Sequence, residues 1–202
     1  MDIKKGIEHL RKSDKELAKI IKEYPEPKIS KTKLYFQSLL RNIIYQQLST
    51  KSAFAIHNRF KKLFSSSTIK PEDVISISIN NLREIGLSRQ KINYIQILAN
   101  EWPAINKKFA NIDSLDDNAI GTELMKVKGI GQWTAEMFLI FIRFDLDVFS
   151  KGDLALINSI KINYKITDLD DYRLKEITEN WSPYKTIASL LLWKSIEEGV
   201  FS

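Results

Sequence analysis

The 202-residue chain contains no cysteine. That absence excludes disulfides, thiol nucleophiles, zinc–thiolate sites and cysteine-ligated iron–sulfur clusters. Histidine is nearly missing as well. Only His9 and His57 occur, too few for a histidine metal site or a histidine-based triad. Long apolar runs are lacking too. The greasiest stretch, Met137–Ile142, falls far short of the roughly 20 residues that a spanning helix needs. No signal peptide opens the chain. The expectation is a soluble monomer of the intracellular space, in cytoplasm or nucleoid, with no membrane partner.

Positive charge is present, and it is unevenly placed. The net charge is +6. Residues 1–33 carry 10 basic and 6 acidic side chains, residues 34–144 carry 14 and 9, and residues 145–202 carry 7 and 10. The first two-thirds of the chain therefore hold the positive field, of the kind that attracts polyanions. A lysine-rich surface kept for solubility gives the same count, so charge alone does not choose. A chain of this length buries roughly 70% of its unfolded surface, enough for one large domain or two small lobes without staples.

Helical periodicity dominates. It predicts an amphipathic helix over 3–23, closed by Pro25 and Pro27, and a second over 33–47 with Leu34, Leu39, Leu40, Ile43 and Ile44 on its core face. Ser49 or Thr50 caps a third helix that runs to Phe64. Pro71 opens a short helix at its first position, and Leu82–Gly86 reads as the end of another, with Gly86 just past its last residue. Ser88 caps 89–102. Further helices are expected over 116–127, 132–144, 153–162, 168–180 and 183–198. Strand signals are weak. Only Val74–Ile79 alternates, and only in part, so the fold class is all-α.

The densest chemistry lies between Leu124 and Leu156. Gly129-Ile130-Gly131 makes a tight turn between two helical stretches, and glycines there let backbone N–H groups face outward. Successive amides of such a turn form an anion nest, and the following helix adds the positive end of its dipole. Lys126 and Lys128 add charge, and Thr134 in the first turn adds a hydroxyl donor. A plain αα-hairpin ended by glycines reads the same way. Asp153 begins the helix after the next loop, where aspartate serves equally as an N-cap or as a reactive carboxylate favoured by the dipole.

Five segments in this order resemble the helix-hairpin-helix DNA glycosylases, nearest the 3-methyladenine branch: 43–53 (IIYQQLSTKSA), 86–99 (GLSRQKINYIQILA), 124–138 (LMKVKGIGQWTAEMF), 147–156 (DVFSKGDLAL) and 181–193 (WSPYKTIASLLLW). The resemblance spans about residues 33–195. It implies two helical lobes with a DNA-binding cleft between them. One lobe is built from 1–34 plus 145–202, the other from 35–144 with the hairpin near 118–144, and no N-terminal β-domain is expected.

The same resemblance implies a monofunctional glycosylase acting on double-stranded DNA that contains damaged bases. Asp153 matches the catalytic aspartate, and Asp147 reads as structural. Trp133 and Trp193 match aromatic walls of the base pocket, with Tyr45 and Gln46 beside them; packing within the core is the alternative for each. An electron-rich indole face suits a cationic alkylated base. Met137 stands where some relatives carry a third pocket aromatic, and Trp181 reads as structural. Lys128, Gly129, Gly131 and Thr134 are assigned to the DNA phosphate. Gln47, Leu87, Ser88 and Arg89 are assigned to the wedge and the orphan base, with capping open for Ser88 and core for Leu87. Backbone carbonyls of Met125, Val127 and Ile130 match those that hold a sodium or potassium ion. No other cofactor and no iron–sulfur cluster is implied.

Lys151 departs from the residue usual near the catalytic aspartate; it adds charge beside Asp153, contacts phosphate, or is simply solvated. The lyase relatives carry an attacking lysine at the position held here by Trp133, so AP-lyase activity is not expected. Two other activities remain as alternatives: a glycosylase for neutral lesions such as hypoxanthine, ethenoadenine or uracil, and a non-catalytic binder of damaged DNA.

Overall fold

A computed structural model describes residues 3–27 and 32–196, and among these every regular element is helical. The elements in chain order are α1 (Ile3–Ser13), α2 (Lys15–Glu23), α3 (Tyr35–Tyr45), α4 (Thr50–Lys61), α5 (Pro71–Ser76), α6 (Ile79–Glu84), α7 (Arg89–Lys108), α8 (Asp117–Met125), α9 (Gln132–Phe138), α10 (Leu154–Asn163), α11 (Asp171–Glu179) and α12 (Lys185–Ile196). The chain divides into two compact units, Thr32–Arg143 and Met1–Lys31 with Phe144–Ser202.

The first unit, α3 to α9, wraps around α3 and α7. The apolar positions of α3 (Phe36, Leu39, Leu40, Ile43 and Ile44) are all buried. Leu34 is not among them. It precedes the first helical residue and is 46% exposed, so the core face of α3 starts two residues later than expected. Helix α7 also corrects the sequence reading. It runs through Pro103 to Lys108, although a proline removes one ladder hydrogen bond. Trp102 packs on Phe36 at 5.3 Å between ring centroids, and Ile105 is buried one turn on; this packing outweighs the local break. Helix α9 is shorter than expected. Beyond Phe138 the backbone widens into a looser coil over Leu139–Arg143, which ends at Phe144 with φ 62°.

The second unit packs α1, α2 and α10 against α12, around Leu10, Leu17, Leu156, Ile160, Ile187 and Leu191. Its N-terminal helix is two helices. Asp14 adopts an extended conformation, and its Oδ1 accepts from Glu16 N (2.9 Å) and Leu17 N (3.0 Å) to cap α2. Its Oδ2 accepts from Tyr164 Oη (2.5 Å) and Trp181 Nε1 (2.8 Å). The break draws a carboxylate inward to serve four donors. Trp181 is fully buried, in the structural place expected for it.

Candidate active site

The loop from Phe144 to Asp153 is tied to the start of α12. Thr186 Oγ1 donates to Asp145 O (2.5 Å) and accepts from Val148 N (3.2 Å), and Thr186 N donates to Leu146 O (2.9 Å). Asp147, the competing carboxylate, accepts from Ser182 Oγ (2.6 Å) and lies 3.7 Å from Lys185 Nζ. It is occupied in joining the loop to α12.

Asp153 closes the loop, with its N–H donating to Ser150 O (3.1 Å). Its Oδ1 takes two donors, Leu156 N (3.0 Å) and Trp193 Nε1 (3.2 Å). The first makes it the N-cap of α10, at the positive end of that helix. The second binds it to a half-buried indole. Its flanking residues Lys151, Gly152 and Leu154 are all exposed, so the carboxylate lies just beneath the surface. Capping and reactivity, left open by the sequence, are compatible in one residue. Trp193, expected as a wall, also holds the carboxylate.

The glycine turn follows α8. Val127 N donates to Leu124 O and Ile130 N to Val127 O, each at 3.0 Å. Gly129 sits at φ +99°, and a Cβ there would fall 2.2 Å from Cγ of Tyr94 on α7. Only glycine satisfies both the dihedral and the contact. Gly131, by contrast, has ordinary extended backbone and opens α9; a Cβ there would meet nothing within 4 Å. The space beside its amide is open to a ligand.

Two expected assignments change here. Gln46 Nε2 donates to Gly129 O and to Thr134 Oγ1, each at 2.9 Å. The packing of α3 on α9 puts Thr134 at 1% exposure, so its hydroxyl meets Gln46 and not a phosphate. Gln46 in turn braces the hairpin instead of facing a base. Lys126 pairs with Glu123 at 2.7 Å, and Lys108 pairs with the same carboxylate. Hydrogen bonds from these two lysines, Lys108 foremost, hold Glu123 below its ordinary carboxylate range. Lys128 is exposed and has no carboxylate partner among the described residues.

The turn between α3 and α4 borders a pocket of about 220 Å³, lined by Gln46, Gln47, Leu48, Ser88, Lys91 and Tyr94 among others. Gln47 is exposed and holds φ +53°, a left-handed conformation costly for a non-glycine residue. Leu48 beside it is 39% exposed. Leu87 is only 4% exposed, because it packs in the core where α6 turns into α7; it is not available as a wedge. Ser88 Oγ accepts from Lys91 N (3.3 Å) and caps α7, and Arg89 stays exposed. Lys91 Nζ reaches Ile44 O (2.7 Å) at the end of α3, and partial burial lowers the ammonium pKa. Leu48, which the sequence alone does not single out, is the exposed leucine at this pocket. Its signal was a leucine stranded between two glutamines and the cap Ser49.

Tyr45, expected near the base, packs between the Arg41 guanidinium and the His57 ring. The Arg41 guanidinium lies 4.2 Å over its ring, and His57 meets it edge-on at 6.0 Å. Burial first, then Lys61 and Arg41, bring the His57 pKa down to about 4. Met137 is buried in the core, while Trp133 is half-buried in the first turn of α9.

Known proteins share this arrangement. The family model for HhH-GPD superfamily base excision DNA repair proteins matches residues 40–186. The chain is 29% identical over 185 residues to DNA-3-methyladenine glycosylase 1 of Schizosaccharomyces pombe, covering 90% of this chain and 81% of that protein. Among solved structures, the Schizosaccharomyces pombe 3-methyladenine DNA glycosylase in complex with abasic DNA superposes with a TM-score of 0.86 at 28% identity, covering 98% of this chain and 99% of that one. A DNA-3-methyladenine glycosidase from Bacillus halodurans gives 0.76 at 34% identity, covering 94% of this chain and 88% of that one. The chain belongs to the HhH-GPD superfamily of base excision DNA repair proteins.

Proposed function

We propose that this protein is a monofunctional DNA glycosylase that hydrolyses the N-glycosidic bond of alkylated, cationic bases such as 3-methyladenine. The observation that carries the reading is the Asp153 carboxylate, held through one oxygen by the α10 amide and the Trp193 indole. As the C1′–N bond lengthens, the deoxyribose gains oxocarbenium character, and a fixed anion stabilises that charge without reorganising. Water adds to C1′, its proton passes by way of the carboxylate, and the base leaves neutral. A cationic base needs no general acid, which agrees with the two-histidine composition. Trp133 offers an indole face to the extruded cation.

The open side of Gly131 and the exposed ammonium of Lys128 receive a backbone phosphate. Gln47 and Leu48 enter the space that the extruded nucleotide leaves. Carbonyls of Met125, Val127 and Ile130 would hold a monovalent cation; the Val127 oxygen accepts the Ile130 amide and carries a second lone pair. Trp133 stands where a Schiff-base lysine would be needed, so no lyase step follows.

Base release from defined methylated duplexes tests the reading. Wild type frees 3-methyladenine, and Asp153→Asn binds the same duplex but loses about 10²–10⁴-fold in single-turnover rate. Excision by that variant at the wild-type rate, or a borohydride-trapped enzyme–DNA adduct with the wild type, would overturn the mechanism.

A further inference from the structure

One strongly charged face is left unused by the glycosylase reading. Between Glu26 and Glu72 the sequence holds no acidic residue, yet those 45 positions carry nine lysines and arginines. Much of this charge gathers on α4. Ala53 and Phe60 are the buried residues of that helix. At about 100° per residue, Lys51 and the C-cap Lys62 fall opposite this buried line, and Phe54 and Lys61 fall on one flank, about a quarter turn away. All four are exposed, and Phe54 is 58% exposed.

Lys19, Lys108, Lys126, Lys175 and Lys185 each pair with a carboxylate. Among the described residues, Arg41, Lys51, Lys61 and Lys62 have no such partner. The Arg41 guanidinium flanks the same face, since it stacks on Tyr45 and Tyr45 touches His57 of α4. His57 registers the resulting potential, because after burial the neighbouring Lys61 and Arg41 act against its protonation.

We propose that the outer face of α4, with Arg41 beside it, is a second contact for the DNA sugar–phosphate backbone, gripping duplex that flanks the lesion. The identity of that DNA as the substrate duplex rests on the glycosylase reading; the affinity for a polyanion does not. Position supports this occupant over an acidic protein. Gln46 is hydrogen-bonded to the glycine hairpin, and α4 starts four residues later, within about 14 Å of extended chain. A backbone held at the hairpin amides thus lies close to the start of α4. Twelve helical residues extend about 18 Å, long enough to run beside several phosphates of a duplex. Phe54, between the lysines, gives deoxyribose an apolar surface.

The test compares the salt dependence of binding to a long undamaged duplex for wild type, Lys51→Ala/Lys61→Ala/Lys62→Ala and Lys175→Ala. Each neutralised phosphate contributes about 0.9 to the slope of log K against log salt. The triple variant is expected to have a slope shallower by about 2–3, and to bind at least tenfold more weakly at low salt. Lys175→Ala, in the other unit, keeps the wild-type slope. On a short duplex that ends beside the lesion, the triple variant and wild type converge. Equal slopes on the long duplex overturn the proposal. Circular dichroism checks folding, and should the triple variant unfold, Lys61→Gln/Lys62→Gln replaces it with an expected change of about 1–2. Base release by wild type is scored separately. Its absence would defeat the glycosylase reading and leave the slope comparison intact.

Discussion

Asp14 and Asp153 lie in the same unit, begin helices α2 and α10, and each accepts an indole N–H, from Trp181 and Trp193 respectively. They are equally exposed, at 9%. Neither capping nor burial separates them. Their surroundings do. Trp181 is fully buried and Tyr164 adds a third side chain to the Asp14 cluster, where burial and the carboxylate raise the phenol pKa. Asp153 is flanked by exposed Lys151, Gly152 and Leu154, and its indole is half-buried. The same chemical device thus serves once as an internal tie and once as a surface-facing anion. Two aspartates that start helices are told apart here by what sits next to them.

Exchanging the two roles by mutation gives the sharpest contrast. Asp14→Ala removes a cap and strands two buried donors, for an expected loss of about 3–5 kcal/mol of stability, read by urea unfolding. The fraction that stays folded should excise bases at the normal rate. Asp153→Asn keeps a good capping residue, so its unfolding midpoint should move by less than about 1 kcal/mol while catalysis collapses. If Asp14→Ala cost only rate and Asp153→Asn only stability, the comparison would be reversed.

The tryptophans give the next step down. Trp193→Phe preserves a ring but deletes one hydrogen bond to a charged group, a rise of about 1.5–3 kcal/mol in the rate-limiting barrier. The fall should appear in turnover and be similar for every alkylated base tested; a fall confined to KM for cationic bases would mean that the ring acts only as a stacking wall. Trp181→Phe should leave turnover alone and cost about 1–3 kcal/mol in stability.

Smaller still is the contrast between hairpin glycines. Gly129→Ala must displace Tyr94 and strain a left-handed residue, by about 1–3 kcal/mol, and should weaken binding to abasic DNA. Gly131→Ala has room and ordinary dihedrals, so its effect on folding should stay within about 0.5–1 kcal/mol.

The smallest effect concerns His57. Its pKa is lowered from 6.5 to about 4 in the folded protein, so the unfolded chain takes up the proton first. The contribution of the neutral imidazole is fully present above pH 6.5 and fades as pH falls toward about 4. Thermal melts of wild type should decline across that window more than those of His57→Gln.

Much of this was legible in the sequence. The glycine turn, the caps at Ser49, Ser88 and Asp153, and the proline that opens α5 follow from short-range rules, and the structure keeps each of them. What failed depended on distant partners. The break at Asp14 was invisible because α1 and α2 share one apolar period, and because its reason, Trp181, lies 167 positions away. The helix expected over 89–102 runs on through Pro103 because Phe36 supports it from elsewhere. Thr134 and Gln46 were assigned outward since the sequence did not reveal their hydrogen bond, formed 88 positions apart. Leu87 was misplaced for the same kind of reason: packing buries it and leaves Leu48 exposed.

The amide of Gln46 has one more effect. It fastens the turn that carries Gln47 and Leu48 directly to the hairpin, through Gly129 and Thr134. One side-chain amide thereby couples the turn after α3 to the hairpin, so a substitution such as Gln46→Ala is expected to loosen both at once, read by hydrogen exchange at Gln47, Leu48 and Gly129.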